Sequence, residues 1–273
     1  MADDARRIAV VPAYNEAETV ATVLAGLYPL VDELVVVDDG STDRTRAEIS
    51  AWLPAGGHAR MLSFDRNRGM SAAYYLAFTD LRRRLQEGEL DEDDLIFTVD
   101  ADGQHELAAF NELERITQEE RLDALLVRRD LTTYPRYKQL GNQLMSRWAT
   151  LWANGVQLLD VESGYRVFRL GRLADALEYY RGYRYSETVE VAIVMSRLGH
   201  AVSNDVLVTV PVFRSRTRMK DVVIDLVAIP LAALRVARRR SRDRGVRNAL
   251  RPLAATGAIT APLLARRRRS RQT

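Results

Sequence analysis

Short aliphatic runs alternate with stretches of helix-spaced apolar positions through the first half of this chain. Ile8–Val11 is a β-branched run ended by Pro12, and Val20, Val23, Leu24 and Leu27 then share one face of a helix over residues 18–27. Leu34–Val37 reads as a second strand, apolar without interruption as a strand covered on both faces must be. Ser41, Thr42 and Asp43 offer N-caps for a helix reaching Leu53. Strands at 61–64, 95–99 and 124–127 and helices at 72–85 and 107–119 continue the alternation. This rhythm predicts an α/β fold, a mostly parallel sheet with helices on both faces.

The second half is more helical. An amphipathic helix is expected over Tyr137–Asn154, then a strand at Tyr165–Phe168, helices at 172–180 and 187–198, and alternating strands across 201–213. After Lys220 the pattern changes to an apolar stretch, Val222–Val236, in which Pro230 predicts a kink. An arginine cluster, a milder apolar stretch at 252–265 and a final arginine run follow. The chain is therefore read as an α/β domain over residues 1–220 and an amphipathic, Arg-rich tail over 221–273.

Charge sharpens that division. From residue 235 onward there are 13 arginines against Asp243 alone, so of the 40 basic and 37 acidic residues, 27 and 36 fall in the first 234. The body carries −9 and the tail +12. The sequence has no cysteine, which removes disulfides and thiolate metal sites and fits a reducing compartment. No apolar run reaches the length of a spanning helix and no signal-like stretch opens the chain, so a cytoplasmic location is expected. The histidines His58, His105 and His200 are too scattered to suggest a metal cluster, though His105 adjoins an acidic motif.

In open α/β sheets, ligands bind beyond the carboxyl ends of the strands. Four successive predicted strand ends carry polar segments: Pro12-Ala13-Tyr14-Asn15-Glu16, Asp38-Asp39-Gly40-Ser41, Arg66-Asn67-Arg68-Gly69 and Asp100-Ala101-Asp102-Gly103-Gln104-His105. Carboxylates at i and i+2 on a turn can share one cleft, where they suit a hard divalent cation completed by diphosphate oxygens and water. Gln104 offers a further oxygen. Paired aspartates such as Asp38-Asp39 also form the metal pocket of receiver domains, but there the pair follows the first strand and here it follows the second. Asp39 is instead expected to bond a base or ribose, with Gly40 allowing close backbone approach.

Together these four motifs resemble those of the family 2 glycosyltransferases, and in particular the polyprenyl-phosphate sugar synthases, dolichol-phosphate mannose synthase among them. The resemblance spans residues 6–220. It implies a GT-A fold, a UDP- or GDP-sugar donor, Mg2+ or Mn2+, and inversion at the anomeric carbon. By position it implies that Pro12, Tyr14, Glu16, Asp39 and Asn67 hold the nucleoside. Asp100, Ala101 and Asp102, helped by Gln104, would hold diphosphate and metal, with Asp102 essential to catalysis. Two departures stand out. Met70 replaces a lysine frequent after the Asn-x-Gly motif, and Arg214–Lys220 keeps the end charges of the family's acceptor-side loop without its Gly and Ser.

A phosphate acceptor is already an anionic nucleophile and calls for cationic clamps. Arg129, Lys138, Asn142 one helical turn later, and Arg214 are the candidates, and the resemblance implies that similar positions surround the acceptor phosphate. The segment Asp160–Arg169 resembles the Thr-Gly-hydrophobic-Arg element of that branch, which implies that Ser163 and Gly164 line the sugar pocket, while Arg166 would pair structurally. A hydroxyl acceptor would need a carboxylate base, for which Glu187 and Glu190 are available. Arginine clusters flanking short apolar stretches in the tail suit peripheral attachment to an anionic cytoplasmic leaflet. The acidic body and the lack of interleaved aromatics argue against specific nucleic-acid binding. The expected activity is sugar transfer from a nucleotide-sugar to a polyprenyl phosphate. The alternatives are a soluble or glycan hydroxyl acceptor of the same fold, or a non-catalytic membrane adaptor.

Overall fold

In the computed structural model, which describes residues 5–132, 134–182, 186–209 and 224–242, the predicted alternation becomes a seven-stranded sheet. Its parallel half consists of β1 (Arg7–Ala13), β2 (Glu33–Asp38), β3 (Ala59–Ser63) and β4 (Leu95–Thr98). The intervening crossovers contain α1 (Val20–Leu27), α2 (Thr45–Trp52) and α3 (Met70–Gln86). In the parallel half β1 pairs with both β2 and β4, and β2 with β3, all in parallel register. Chain order reverses at β1, the kind of switch point beside which open α/β sheets bind ligands, at the carboxyl ends of β1, β2 and β4.

The remainder departs from a simple continuation. α4 (Phe110–Glu119) leads to β5 (Ala124–Leu126) and β6 (Arg128–Arg129), then α5 (Arg136–Trp152) and β7 (Arg166–Arg169). After these come α6 (Leu170–Leu177), α7 (Glu187–Leu198), β8 (Val202–Ser203) and β9 (Leu207–Val208). β7 inserts between β4 and β5 and runs antiparallel to both. The expected alternating strands over 201–213 reduce to two short ones within the described residues, with β9 pairing to β6 outside the main sheet. Ser41 and Thr42 do not cap α2. That helix begins at Thr45, and the Asp43 carboxylate accepts a 2.8 Å hydrogen bond from the Thr45 N–H.

Strand residues divide by parity between two cores. Ala9, Val11, Leu34, Val36, Phe97 and Val99 pack with α1, Ile49 of α2 and Phe110 of α4. Phe97 stacks on Phe110 at 3.9 Å between ring centroids, a contact whose loss on Phe97→Ala would cost about 3–5 kcal/mol. On the other face Phe168 meets Phe78 of α3 edge-on at 6.3 Å, and α3 packs against α6 and α7.

Contacts divide the chain into two units, Met1–Ala233 and Leu234–Thr273. Residues 224–242 are helical, and the helix continues through Pro230. Asp225, Ala228, Ile229, Ala232 and Ala233 are buried at helical spacing, so the first unit reaches beyond residue 220. Among the described residues no helix is long and apolar enough to cross a membrane. Arg214 and the second apolar stretch, 252–265, lie outside the described residues.

Candidate active site

Three loops at the sheet's carboxyl end are knitted together by side chains that the sequence motifs supply. Asn15, at φ 55°, donates its N–H to Ser41 Oγ (3.1 Å), and its side-chain oxygen accepts the Thr42 N–H at 2.9 Å. Thr45 Oγ1 receives the Glu16 N–H at 2.8 Å. Pro12 is buried inside β1, whereas Tyr14 and Glu16 are half-buried at the loop.

Asp39 turns inward to the next loop. Its carboxylate accepts the N–H groups of Arg68 and Gly69, each at 2.8 Å, and the Asn67 side-chain amide at 3.1 Å. Burial pushes the Asp39 carboxyl up, and these donors oppose that shift. Gly40 stands at φ 65°, where an added Cβ would lie 2.2 Å from the Arg66 carbonyl carbon. Glycine is therefore required here for conformation and for space. Asp39 and Asn67, both expected at the nucleoside, thus come together as one clasp. Asp38 is wholly buried and paired with Arg46 at 2.6 Å.

The Asp100–Asp102 turn follows β4 and is held from several sides. Thr19 Oγ1 donates to the Ala101 carbonyl at 2.8 Å, while the Ala101 side chain joins the core. The Asp100 N–H donates to His105 Nδ1 at 3.1 Å, and His105 Nε2 lies 3.4 Å from an Asp100 carboxylate oxygen. Burial pushes the His105 imidazole below its usual range, and Nδ1, which accepts the Asp100 N–H, carries no proton. Tyr74 of α3 donates its hydroxyl to Asp100 Oδ1 at 3.4 Å. Burial raises the Asp100 carboxyl, with His105 acting in the opposite direction. Gln104 bonds Asp102 through both its backbone N–H and its side-chain amide nitrogen.

Beside Asp100 the antiparallel β7 brings in the loop before it. Thr98 donates to the Gly164 carbonyl at 2.6 Å, and a Cβ at Gly164 would stand 2.7 Å from Asp100 Oδ2. Ser163, one residue earlier, is buried with its hydroxyl unpartnered. Two hard carboxylates with a side-chain-free approach suit a divalent cation. Among the described residues no three His, Asp or Glu side chains converge to hold one, so a cation here would take its other ligands from diphosphate or water.

The acceptor-side candidates divide. Arg129 forms a two-pronged ion pair with buried Asp160, at 2.8 and 2.9 Å, and its backbone N–H reaches the same carboxylate at 3.0 Å. Desolvation opposes the Arg129 charge, yet Asp160 raises its pKa overall. The positive field of Arg129 extends to Asp100 and His105. Lys138 is half-buried and its charge reaches Glu162. Asn142 is buried with its side-chain oxygen unpartnered.

Glu187 and Glu190, the base candidates, have different surroundings. Both oxygens of Glu190 accept backbone N–H groups, from Arg181 and Gly182 at 2.9 Å each, so this residue clamps a turn. Glu187 is buried with Oε2 unpartnered, and desolvation lifts its pKa to about 7. Its field reaches Tyr74, and that of Asp100 reaches it. Arg166, wholly buried, donates to the carbonyls of Ser163, Thr188 and Val161, which ties the β7 loop to α7 in the structural role expected for it. Thr19, Tyr74 and Asp160 were not singled out by the sequence motifs. Asp160 alone had a signal, as the first residue of the segment that ends at Arg169.

A mostly parallel sheet with an acidic turn at its carboxyl end is the GT-A architecture of nucleotide-sugar transferases. Residues 8–168 match the family described as Glycosyl transferase family 2, and the chain belongs to that family of glycosyltransferases. It is 28% identical over 211 residues to an undecaprenyl-phosphate mannosyltransferase of Micrococcus luteus, covering 72% of this chain and 80% of the relative. A UDP-N-acetylglucosamine–dolichyl-phosphate N-acetylglucosaminyltransferase of Methanococcus voltae is 25% identical over 209 residues, covering 69% and 78%. The fold is shared with glucosyl-3-phosphoglycerate synthase of Mycobacterium tuberculosis, solved with Mn2+, UDP and glucosyl-3-phosphoglycerate. That match has a TM-score of 0.62 and 20% identity over 84% of this chain and 80% of that one.

Proposed function

We propose that this enzyme transfers one sugar, with inversion, from a UDP- or GDP-sugar to a polyprenyl phosphate at the cytoplasmic face of the membrane. The observation that carries this reading is the meeting of two opposite surfaces. Asp100 of the acidic turn lies within the electrostatic reach of Arg129, and the charges of Arg129 and Lys138 converge on Glu162. The names of the two sequence relatives, both transferases to polyprenyl phosphates, support the acceptor class.

The Asn15–Glu16 loop and the Asp39–Asn67 clasp form the nucleoside side of the cleft. Asp100 and Asp102 are the residues that would hold Mg2+ or Mn2+, which when bound neutralises charge on the leaving diphosphate. Tyr74, His105 and Thr19 fix the turn so that its carboxylates need not reorganise during transfer. An acceptor phosphate oxygen forms the new bond to the anomeric carbon as the bond to the nucleoside diphosphate breaks. The acceptor oxygen is already anionic, so no side chain has to remove a proton. Arg129 and Lys138 orient it by charge.

A second reading, a hydroxyl acceptor, is favoured by one observation: Glu187 is buried with a free oxygen and lies within the electrostatic reach of Asp100, as a general base would. Transfer of radiolabel from a panel of UDP- and GDP-sugars, with Mg2+ or Mn2+, into a butanol-extractable product separates the two. A mild-acid-labile lipid product is expected. Donor hydrolysis without lipid product would reject the polyprenyl-phosphate acceptor.

A further inference from the structure

α5 turns one apolar stripe outward. Tyr137, Leu140, Leu144 and Leu151 recur at spacings of 3, 4 and 7 and are 68%, 59%, 66% and 76% exposed. The opposite face of the helix, with Asn142, Met145, Ser146 and Ala149, is buried. The stripe continues onto a second element. The Trp148 indole donates to the Leu226 carbonyl at 3.1 Å, and Leu226, Val227 and Leu231 are 41–54% exposed on the outer side of the 224–242 helix. Soluble surfaces rarely leave so many large apolar side chains contiguous without a partner.

The charges around the stripe identify that partner. α5 has no acidic residue in its 17 positions, and exposed Arg136 and Arg147 run along one side of the stripe. On the 224–242 helix the only acid is buried Asp225, and the sequence after it carries Arg235, Arg238 and Arg239. Two copies of this face would set cation against cation, whereas an anionic bilayer complements both the apolar and the basic components.

We infer that the outer face of α5, together with residues 226–231, is a docking surface for an anionic lipid bilayer. The inference deepens the proposed function. α5 also carries Lys138 and Asn142, so docking through it brings the acceptor end of the cleft to the leaflet that would supply a lipid phosphate. Membrane contact is thereby a property of the α/β body as well as of the arginine-rich tail.

The test is flotation of the full chain with vesicles of phosphatidylcholine alone and of phosphatidylcholine with phosphatidylglycerol. Wild type should float with the anionic vesicles, and the double variant Leu144→Glu/Leu151→Glu should lose about tenfold or more in partitioning. Both positions are exposed, so its melting temperature and its thermal shift by UDP or GDP should be unchanged. Equal flotation of the two proteins would overturn the inference. So would a concentration-dependent dimer of wild type that ignores vesicles and is broken by the variant, since the face would then join copies of the chain. Vesicle binding without any lipid-linked product would refute the proposed acceptor while leaving the docking surface intact.

Discussion

Gly164 approaches Asp100 so closely that a single added methyl would stand 2.7 Å from Oδ2 and 3.0 Å from Oδ1. The Asp100 carboxylate is hemmed by the Tyr74 hydroxyl and by His105, so it has little room to yield. A carboxylate misplaced by about 1 Å lowers turnover by about 100-fold. Gly164→Ala should therefore lose activity on that order while melting close to wild type, and it should need more Mn2+ for half-maximal rate. Wild-type turnover in this variant would remove Asp100 from the reaction.

Among the described residues, Asp102 differs from Asp100 in being bonded within its own turn, by Gln104. Asp102→Asn keeps the shape and removes the charge. Loss of several kcal/mol of charge stabilisation at the leaving diphosphate corresponds to a fall of about 100-fold or more in kcat. Circular dichroism and melting should be unaltered. Normal turnover would refute the assignment of Asp102 to metal and diphosphate.

The half of the site proposed to bind the donor was legible as a structural cluster because its residues sit in contiguous motifs immediately after β-branched runs. Asp39, Asn67, Asp100 and Asp102 all fall where strand-end reasoning put them. What escaped was carried by long-range contacts. Nothing local marks Tyr74, which lies on an apolar helix face, as a donor to Asp100. β7 reads as a strand, but its antiparallel insertion between β4 and β5 depends on which edge the chain returns to. Glu187 and Glu190 are three residues apart on one helix and look equivalent. Only the fold shows that Arg181 and Gly182 occupy both oxygens of Glu190, while one oxygen of Glu187 is left without a partner.

Glu187 makes stability depend on pH. Desolvation raises its folded-state pKa to about 7 from 4.5, so the folded state takes up a proton that the unfolded chain releases. That contribution is fully present below pH 4.5 and is lost as pH rises through 7. A shift of that size corresponds to an upper bound on the order of 3 kcal/mol. Glu187→Gln should remove the loss, so in urea unfolding the variant should gain on wild type between pH 5 and pH 8. Parallel pH profiles for the two proteins would show that Glu187 does not titrate in this range. The same variant tests the hydroxyl-acceptor reading: transfer to a lipid phosphate should survive in Glu187→Gln, and transfer that needs a base should not.

Arg129 and Lys138 are both proposed to orient the acceptor phosphate, but their surroundings predict different responses to removal. Arg129 answers the buried charge of Asp160 through two side-chain bonds, and Asp160 also accepts the N–H of Glu162 at 3.3 Å. Removing one partner of such a pair leaves an uncompensated buried charge, which costs about 3–5 kcal/mol. Arg129→Ala should therefore lower both stability and activity, and Arg129→Lys should rescue little, because an ammonium cannot reproduce the fork. Lys138 is half-buried and its charge acts on Glu162, a partly exposed carboxylate. Lys138→Ala should raise KM for the phosphate acceptor several-fold, with kcat and melting temperature nearly unchanged. Steady-state kinetics over acceptor concentration, paired with thermal melts, distinguish the two residues. An unchanged acceptor KM in Lys138→Ala would leave acceptor binding to Arg129 and to residues beyond the described part of the chain.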